Sequence, residues 1–426
     1  MKFPEILPSR RDYAELARSW RVDLIAGVTV GIVALPLALA FGITTGAGAS
    51  AGLITAVLAG LIAAIFGGSH LQVSGPTGAM TVVLVPIVAQ HGVAVLLPLG
   101  IFAGILVILS GIFGIGTLIN RVPWTVMEGF TLGIAMVIGL QQIPMALGVA
   151  KAHGERTIPV AWNTVRHALQ SGIHWSSVLI VIASLGIKFA TPHLLKKFNI
   201  SIFIPGSFLS IVIMTALLWG TDVAKVGAIP KSLINTHELF SSHALSAQGM
   251  TLFAFMYAAF SIAALSGIES LLSARVADQM AHHHGLTKTL PNRELFGQGL
   301  ATVIASALGG IPATGAIART SVNVRSGART RFAAISHALF LILIITVLSP
   351  VIAHVPTATL AAVLIGTSIR IASPARMREL LRTTGPDEIV LLVTAFAVLC
   401  IDLMWGIVIG IVLHLLLTRL MKKSIN

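Results

Sequence analysis

Two charged side chains stand where charge is costly. Glu269 sits deep in the apolar run 249–276, and Arg319 lies just past the break Gly309-Gly310-Ile311-Pro312. An ionisable group inside a spanning helix costs roughly 2.5–3.5 kcal/mol on insertion scales, so each marks a candidate functional site. Glu128 and Asp402 fall nearer predicted helix ends, where water or a helix dipole accommodates them. A carboxylate beside a substrate cavity can take up a proton when an anion enters, which makes Glu269 a candidate coupling group, with Ser273 grouped beside it. Blander roles stay open. Arg319 could snorkel to the cytoplasmic face or pair with Glu269, and Glu269 could be a structural carboxylate satisfied by nearby donors.

A pair of matching interruptions positions these groups. Val73-Ser74-Gly75-Pro76-Thr77-Gly78-Ala79-Met80 and Ile311-Pro312-Ala313-Thr314-Gly315-Ala316-Ile317 each put a breaker and a Thr-Gly-Ala start before an apolar run. Broken helices at corresponding places in two halves are the best sequence pointer to a carrier's binding site, where half-helix N-termini face an anion near the midplane. With Thr314 as N-cap, the first-turn N–H groups and the positive dipole end face the membrane centre, and Arg319, further along, adds a full charge. The half-helix after Thr77 supplies a second set of donors. Candidate anion contacts are therefore Thr77, Gly78 and Ala79 from the first break and Gly315, Ala316, Ile317 and Arg319 from the second.

A second match has nearly the same offset: Gly31-Ile32-Val33-Ala34-Leu35-Pro36-Leu37-Ala38 aligns with Gly267-Ile268-Glu269-Ser270-Leu271-Leu272-Ser273-Ala274. Two homologous halves are expected. Glu269 aligns with Val33 and Arg319 with Val82, so the scaffold is symmetric while the chemistry is not. At 56% hydrophobic and 10% charged, the chain is excluded from ordinary soluble domains, whose charged fraction is about 25%. Fourteen apolar runs lie between residues 22 and 421, most near the roughly 20 residues that cross about 30 Å. Those at 76–91 and 316–326 are short, as half-helices would be. The expected fold is an all-α polytopic membrane protein of 14 transmembrane segments.

The formal net charge of +13 raises nucleic-acid binding, and its distribution argues against it. Five Lys and Arg fall on external segments (Lys151, Arg156, Arg166, Lys225 and Lys231), Arg319 falls in a half-helix, and the other basic residues, among them Arg10, Lys196, Arg329 and Lys422, fall on cytoplasmic ones. This is the positive-inside pattern of a multi-pass cell-membrane protein with both termini cytoplasmic and the lipid bilayer as its partner. Residues 1–21 form a charged N-terminal segment with no signal-peptide core. Cys400 is alone, and His282-His283-His284 reads as a solvated loop, since consecutive histidines rarely share one metal face; no metal site and no cofactor is expected. Glycines such as Gly104, Gly111, Gly129, Gly133, Gly406 and Gly410 suit close helix packing.

The same residues carry a resemblance. From Gly267-Ile268-Glu269-Ser270 through Asn292-Arg293-Glu294-Leu295, Gln298-Gly299-Leu300 and Gly309-Gly310-Ile311-Pro312-Ala313-Thr314-Gly315 to Arg319-Thr320-Ser321-Val322-Asn323, the chain resembles the SulP anion transporters. Ala34-Leu35-Pro36-Leu37-Ala38-Leu39-Ala40-Phe41-Gly42 and Gly75-Pro76-Thr77-Gly78 look like the bicarbonate-transporting branch. The resemblance implies two inverted seven-helix repeats, at 22–219 and 249–421, with a core domain made of the first four segments of each repeat and a gate domain of the last three. It implies secondary active transport of sulfate, bicarbonate or a small dicarboxylate by an elevator-like mechanism, and a homodimer. Phe41 joins the substrate contacts, Arg319 matches the family's anion-site arginine, and Glu269 matches its coupling position.

Departures refine these expectations. Sodium-coupled bicarbonate carriers have Asp at the coupling position and no arginine in the half-helix, which favours protons over sodium here. Thr302 replaces a common Asn, and the chain stops at Asn426, where the family usually continues into a STAS domain; no such domain is expected. The rivals are a sodium-coupled bicarbonate transporter, an uncoupled anion exchanger or channel, and a uracil/xanthine-type permease, whose Asn-x-Gly motif is missing. An enzyme is disfavoured, because no nucleophile, base or metal constellation stands out.

Overall fold

The computed structural model describes residues 8–13, 15–154, 156–199, 205–227, 249–281, 288–373 and 385–425, so His282-His283-His284 lie outside the described residues. Helices dominate, because a backbone in hydrocarbon must satisfy its own N–H and C=O groups. Among the described residues, eight spans are long and apolar enough to cross a membrane, and three further helices are shorter and apolar. The chain folds into two compact units.

The first unit holds α1 (Leu16–Thr44), α2 (Ala49–Phe66), β1 (Ser74–Gly75), α3 (Gly78–His91) and α4 (Leu96–Ile112) from the first half of the sequence. It also holds α9 (Gly206–Leu217), α10 (Leu252–Met280), α11 (Pro291–Ala307), β2 (Thr314–Gly315), α12 (Ile317–Arg325) and α13 (Phe332–Ile352). The sequence of elements repeats: α1 and α10 are both 29 residues long, and each is followed by a helix, a two-residue strand and a short helix. Small residues let these helices approach closely. A side chain at Gly104 or Gly299 would run into the facing helix of the α4–α11 pair, and one at Gly27 would strike Ala333 and Ser336 of α13. The resemblance places the seventh segment of the first repeat in the gate, but α9 groups with the first unit and packs on α1.

The second unit holds α5 (Trp124–Gln141), α6 (Ile143–Leu147), α7 (Thr157–Ser171), α8 (Trp175–Lys197), α14 (Thr357–Ala372), α15 (Pro386–Cys400) and α16 (Leu403–Ile425). Its centre is the α5–α15–α16 packing, where Gly129 and Gly133 admit Leu391 and Val398, and Gly406 and Gly410 admit Val398 and Thr394. The packing role expected of these glycines is what they perform. Helix α7 is not a continuous apolar run. It is amphipathic, burying Val160, Ala161, Thr164 and Ala168 at helical spacing while Trp162 and Leu169 are exposed.

Candidate functional site

The two breaks meet as a two-stranded antiparallel pair. Ser74 pairs with Gly315 and Gly75 with Thr314, so β1 and β2 cross inside the first unit immediately before α3 and α12 begin. Ala316 N–H extends the ladder by donating to Val73 O at 2.9 Å. Gly75 has φ +148°, in the range that favours glycine, and a Cβ there would strike the Arg319 guanidinium. The strand spends the backbone groups of both breaks on each other. The first-turn N–H groups of the two short helices lie outside this pairing.

Thr77 caps α3, its hydroxyl accepting from Met80 N–H at 3.4 Å. Thr314 does not cap α12. The cap is Ala316, and among the described residues no side chain caps this end, because Thr314 is held extended in β2. The Thr314 hydroxyl turns to Glu269 instead, donating to Oε2 at 2.6 Å, and Thr77 donates to the same oxygen at 2.8 Å. The two hydroxyl oxygens are 3.2 Å apart. One carboxylate oxygen on α10 thus joins matching threonines from the two halves.

Arg319 is 1% exposed, which removes the snorkelling reading. Among the described residues it forms no ion pair with Glu269 within 4.0 Å. Its Nη2 donates to Pro76 O at 2.6 Å and Nη1 reaches Ser74 O at 3.4 Å, so the second half-helix grips the strand that leads into the first. The guanidinium therefore adds charge beneath the crossing while fixing where α3 starts.

The remaining expected contacts fall around this knot. Gly78, Ala79, Gly315 and Ala316 are buried, Ile317 is partly exposed and Ala318 is exposed, so the uncapped α12 end is the part reached by solvent. Glu269 is also partly exposed. Phe41 is buried on α1 at 6% exposure. Ser273 is not brought to Glu269; its hydroxyl is 2.9 Å from that of Thr320 and ties α10 to α12. Ser270, unforeseen, accepts from Gly315 N–H at 2.9 Å, and Ser266 donates to Ala313 O at 2.9 Å. The spacing of Ser266, Ser270 and Ser273 on α10, four residues and then three, was the signal available for them.

A profile of the sulfate permease family matches residues 20–394. The chain belongs to the sulfate permease family. It is 34% identical over 404 residues to the putative sulfate transporter YvdB of Bacillus subtilis, a match covering 93% of this chain and 73% of that protein. It is 32% identical over 360 residues to the bicarbonate transporter BicA of Picosynechococcus, covering 81% of this chain and 61% of that one. Among solved structures, the transmembrane domain of a cyanobacterial bicarbonate transporter BicA superposes with a TM-score of 0.80 at 27% identity, covering 93% of this chain and 98% of that domain. SLC26A9 shares the fold, with a TM-score of 0.80 at 17% identity over 97% of this chain and 68% of that one.

This sulfate permease family member carries further charges that the sequence concealed. Lys188 of α8, counted with the cytoplasmic charge, is 2% exposed in the second unit and donates to Val363 O at 2.7 Å and Thr367 Oγ1 at 3.1 Å. Gly366 leaves room for it. In the first unit, Asp12 accepts from Arg293 Nη1 and Nη2 at 3.1 and 2.8 Å and lies 3.6 Å from Arg331 Nη2. Burial pushes the Asp12 carboxyl up, but the Arg293 bonds, the Ser9 N–H and the Arg331 charge outweigh it and hold the pKa down at about 2. Partly exposed His70 nearby is pushed down to about 4 by burial and by Arg331.

Proposed function

We propose that this protein is a secondary active transporter of a small anion, of the sulfate, bicarbonate or dicarboxylate class, coupled to protons and working by elevator-like alternating access. The reading supposes fourteen segments in two inverted repeats, 22–219 and 249–421. The observation that carries it is the knot of Thr77, Glu269 and Thr314 between two helix N-termini. An anion is received by the free N–H groups of α3 and α12, with Gly78, Ala79, Gly315, Ala316, Ile317 and the Arg319 charge around it and Phe41 on the flanking helix.

Glu269 supplies the coupling. Two unit negative charges about 6 Å apart at an effective dielectric of about 20 repel by about 3 kcal/mol. A proton on Glu269 removes that cost, so anion and proton enter together. The same proton displaces the hydrogen bonds that Thr77 and Thr314 give to the carboxylate, which ties occupancy to the joint between the two halves. The two threonine hydroxyls already on Oε2 favour protons over sodium, since they occupy the carboxylate oxygen that a cation would need. The relatives' names support the substrate class: two are called sulfate and bicarbonate transporters. Uptake of labelled sulfate, bicarbonate and fumarate into proteoliposomes, with and without proton and sodium gradients, tests the reading. Accumulation driven by an inward proton gradient is expected; flux that follows voltage alone would reject it in favour of a channel.

A further inference from the structure

Behind the crossing lies a column of buried polar groups that the site chemistry does not use. His337, fully buried on α13, has no hydrogen-bond partner at either ring nitrogen among the described residues. Gln72, in the lead into β1, has none at either amide atom, Gln298 of α11 none at Nε2, and Ser336 none at Oγ. These groups surround one strand. Ser74 Oγ donates to Gln298 Oε1 at 2.6 Å, Ser74 O receives Arg319, and the Gln72 amide lies against Gly315. Glycine at position 60 of α2 opens the space between His337 and Ser74: a Cβ there would sit 3.4 Å from the imidazole Nδ1 and 3.5 Å from Ser74 O.

The column continues away from the crossing on the same three helices. One turn along α2 from Gly60, Ala64 O accepts from Arg331 Nη1 at 3.1 Å, and Arg331 has no hydrogen-bond partner at Nε or Nη2 among the described residues. Glu294 lies one turn from Gln298 on α11 and accepts from Gly68 and Ser69 N–H, both at 2.8 Å. Beyond them is the Asp12 turn. A buried donor or acceptor left unmade costs about 1–3 kcal/mol, and a run of them in one place is not retained without a partner. Buried polar groups of this kind are satisfied by ordered water with two to four partners each.

We infer that Gln72, Gln298 and His337 hold a file of ordered water that links the Glu269 knot to the Asp12 end of the unit, and that His337 passes protons along it. This rests on the proton-coupled reading above. A neutral imidazole accepts at one nitrogen and donates from the other, so a proton arriving at one is matched by one leaving the other, and exchange of tautomer resets the ring. The charged groups around His337 suit a neutral relay. Arg319 of α12 acts on it most directly, α2 contributes no charge, and Asp23 of α1 is spent on Ser19, Arg329 N–H and Thr330.

The test uses the full chain in proteoliposomes with sulfate and bicarbonate as probes. His337→Phe keeps a ring of similar size but removes both nitrogens, and Gln298→Leu dries the file independently. Each is expected to retain anion-for-anion exchange within about twofold while losing proton-driven accumulation by about a hundredfold, the lower range for removal of a proton-transfer group. His337→Gln, which keeps donor and acceptor capacity, should restore part of it. A second readout is X-ray radiolytic labelling, in which hydroxyl radicals form from water at the site: the buried peptides bearing His337 and Gln298 should label rapidly in wild type and lose labelling in His337→Phe. Unchanged accumulation by both variants, or protection of these peptides in wild type, overturns the inference. Wild type without proton-driven accumulation would remove the coupled reading and the relay with it, and the labelling would still decide whether water fills the column.

Discussion

Arg319 is the most demanding test of how charge is used in this fold. Arg319→Ala removes the 2.6 Å bond to Pro76 O and the weaker one to Ser74 O, and it leaves both carbonyls buried. An unmade buried acceptor costs about 1–3 kcal/mol, so the ligand-free melting midpoint should fall. For the anion the loss is larger. A charge about 6 Å from a bound anion contributes about 3 kcal/mol at an effective dielectric of about 20, and displacement of the α3 start adds to it. Affinity should weaken by about a hundredfold, since about 1.4 kcal/mol is tenfold. Arg319→Lys keeps the charge but not the fork that spans two carbonyls, and should fall between the two. Calorimetric titration with sulfate and bicarbonate, together with melting with and without each, separates the effects. Wild-type affinity in Arg319→Ala would refute the electrostatic argument, and Arg319→Lys as weak as Arg319→Ala would show that geometry alone matters.

The threonines offer a second perturbation. Thr314→Val removes the 2.6 Å donor to Glu269 and Thr77→Val the 2.8 Å donor; each should slow uptake by about tenfold, the worth of one hydrogen bond to a charged group, with the serine variants nearly intact. Because both act on one oxygen, the double variant should cost less than the sum of the singles in a double-mutant cycle of initial uptake rates. Asp12→Asn should lower the melting midpoint at neutral pH, with a loss on the order of 2 kcal/mol from the depression of its pKa to about 2. The folded pKa lies below the ordinary carboxyl value of 3.8, so this stabilisation is present above pH 4 and fades as pH falls toward 2. Melting of wild type and Asp12→Asn across that range should converge at the acid end, and parallel curves would show the clasp contributes nothing.

Much of the site was legible because it is built from breakers. Pro and Gly interrupt an apolar chain conspicuously, and the repeat aligned Thr77 with Thr314, whose hydroxyls meet. The sequence did not show that the breaks pair with each other; strand pairing between residues 74 and 315 leaves no periodic trace in two-residue strands, and for that reason Thr314 reads as a helix cap. Lys188 was hidden by Lys196 and Lys197, which make a cytoplasmic reading natural, whereas its burial depends on a glycine on another helix, Gly366. Asp12, Arg293 and Arg331 come from three distant stretches and meet only in the folded unit. His337 looks like a lone polar residue in an apolar run until its unpartnered nitrogens are set beside those of Gln72 and Gln298.

The central claim is that Glu269 couples the proton to the anion, and Glu269→Gln tests it most directly. The amide is neutral in the way a protonated carboxyl is, and it can still meet both threonine hydroxyls. Measured in proteoliposomes, the variant should exchange anion for anion at a rate near wild type and fail to accumulate anion against a gradient when protons are driven inward, while wild-type uptake rises as external pH falls and ignores external sodium. Full proton-driven accumulation by Glu269→Gln, or an absolute need for sodium in wild type, would contradict the account.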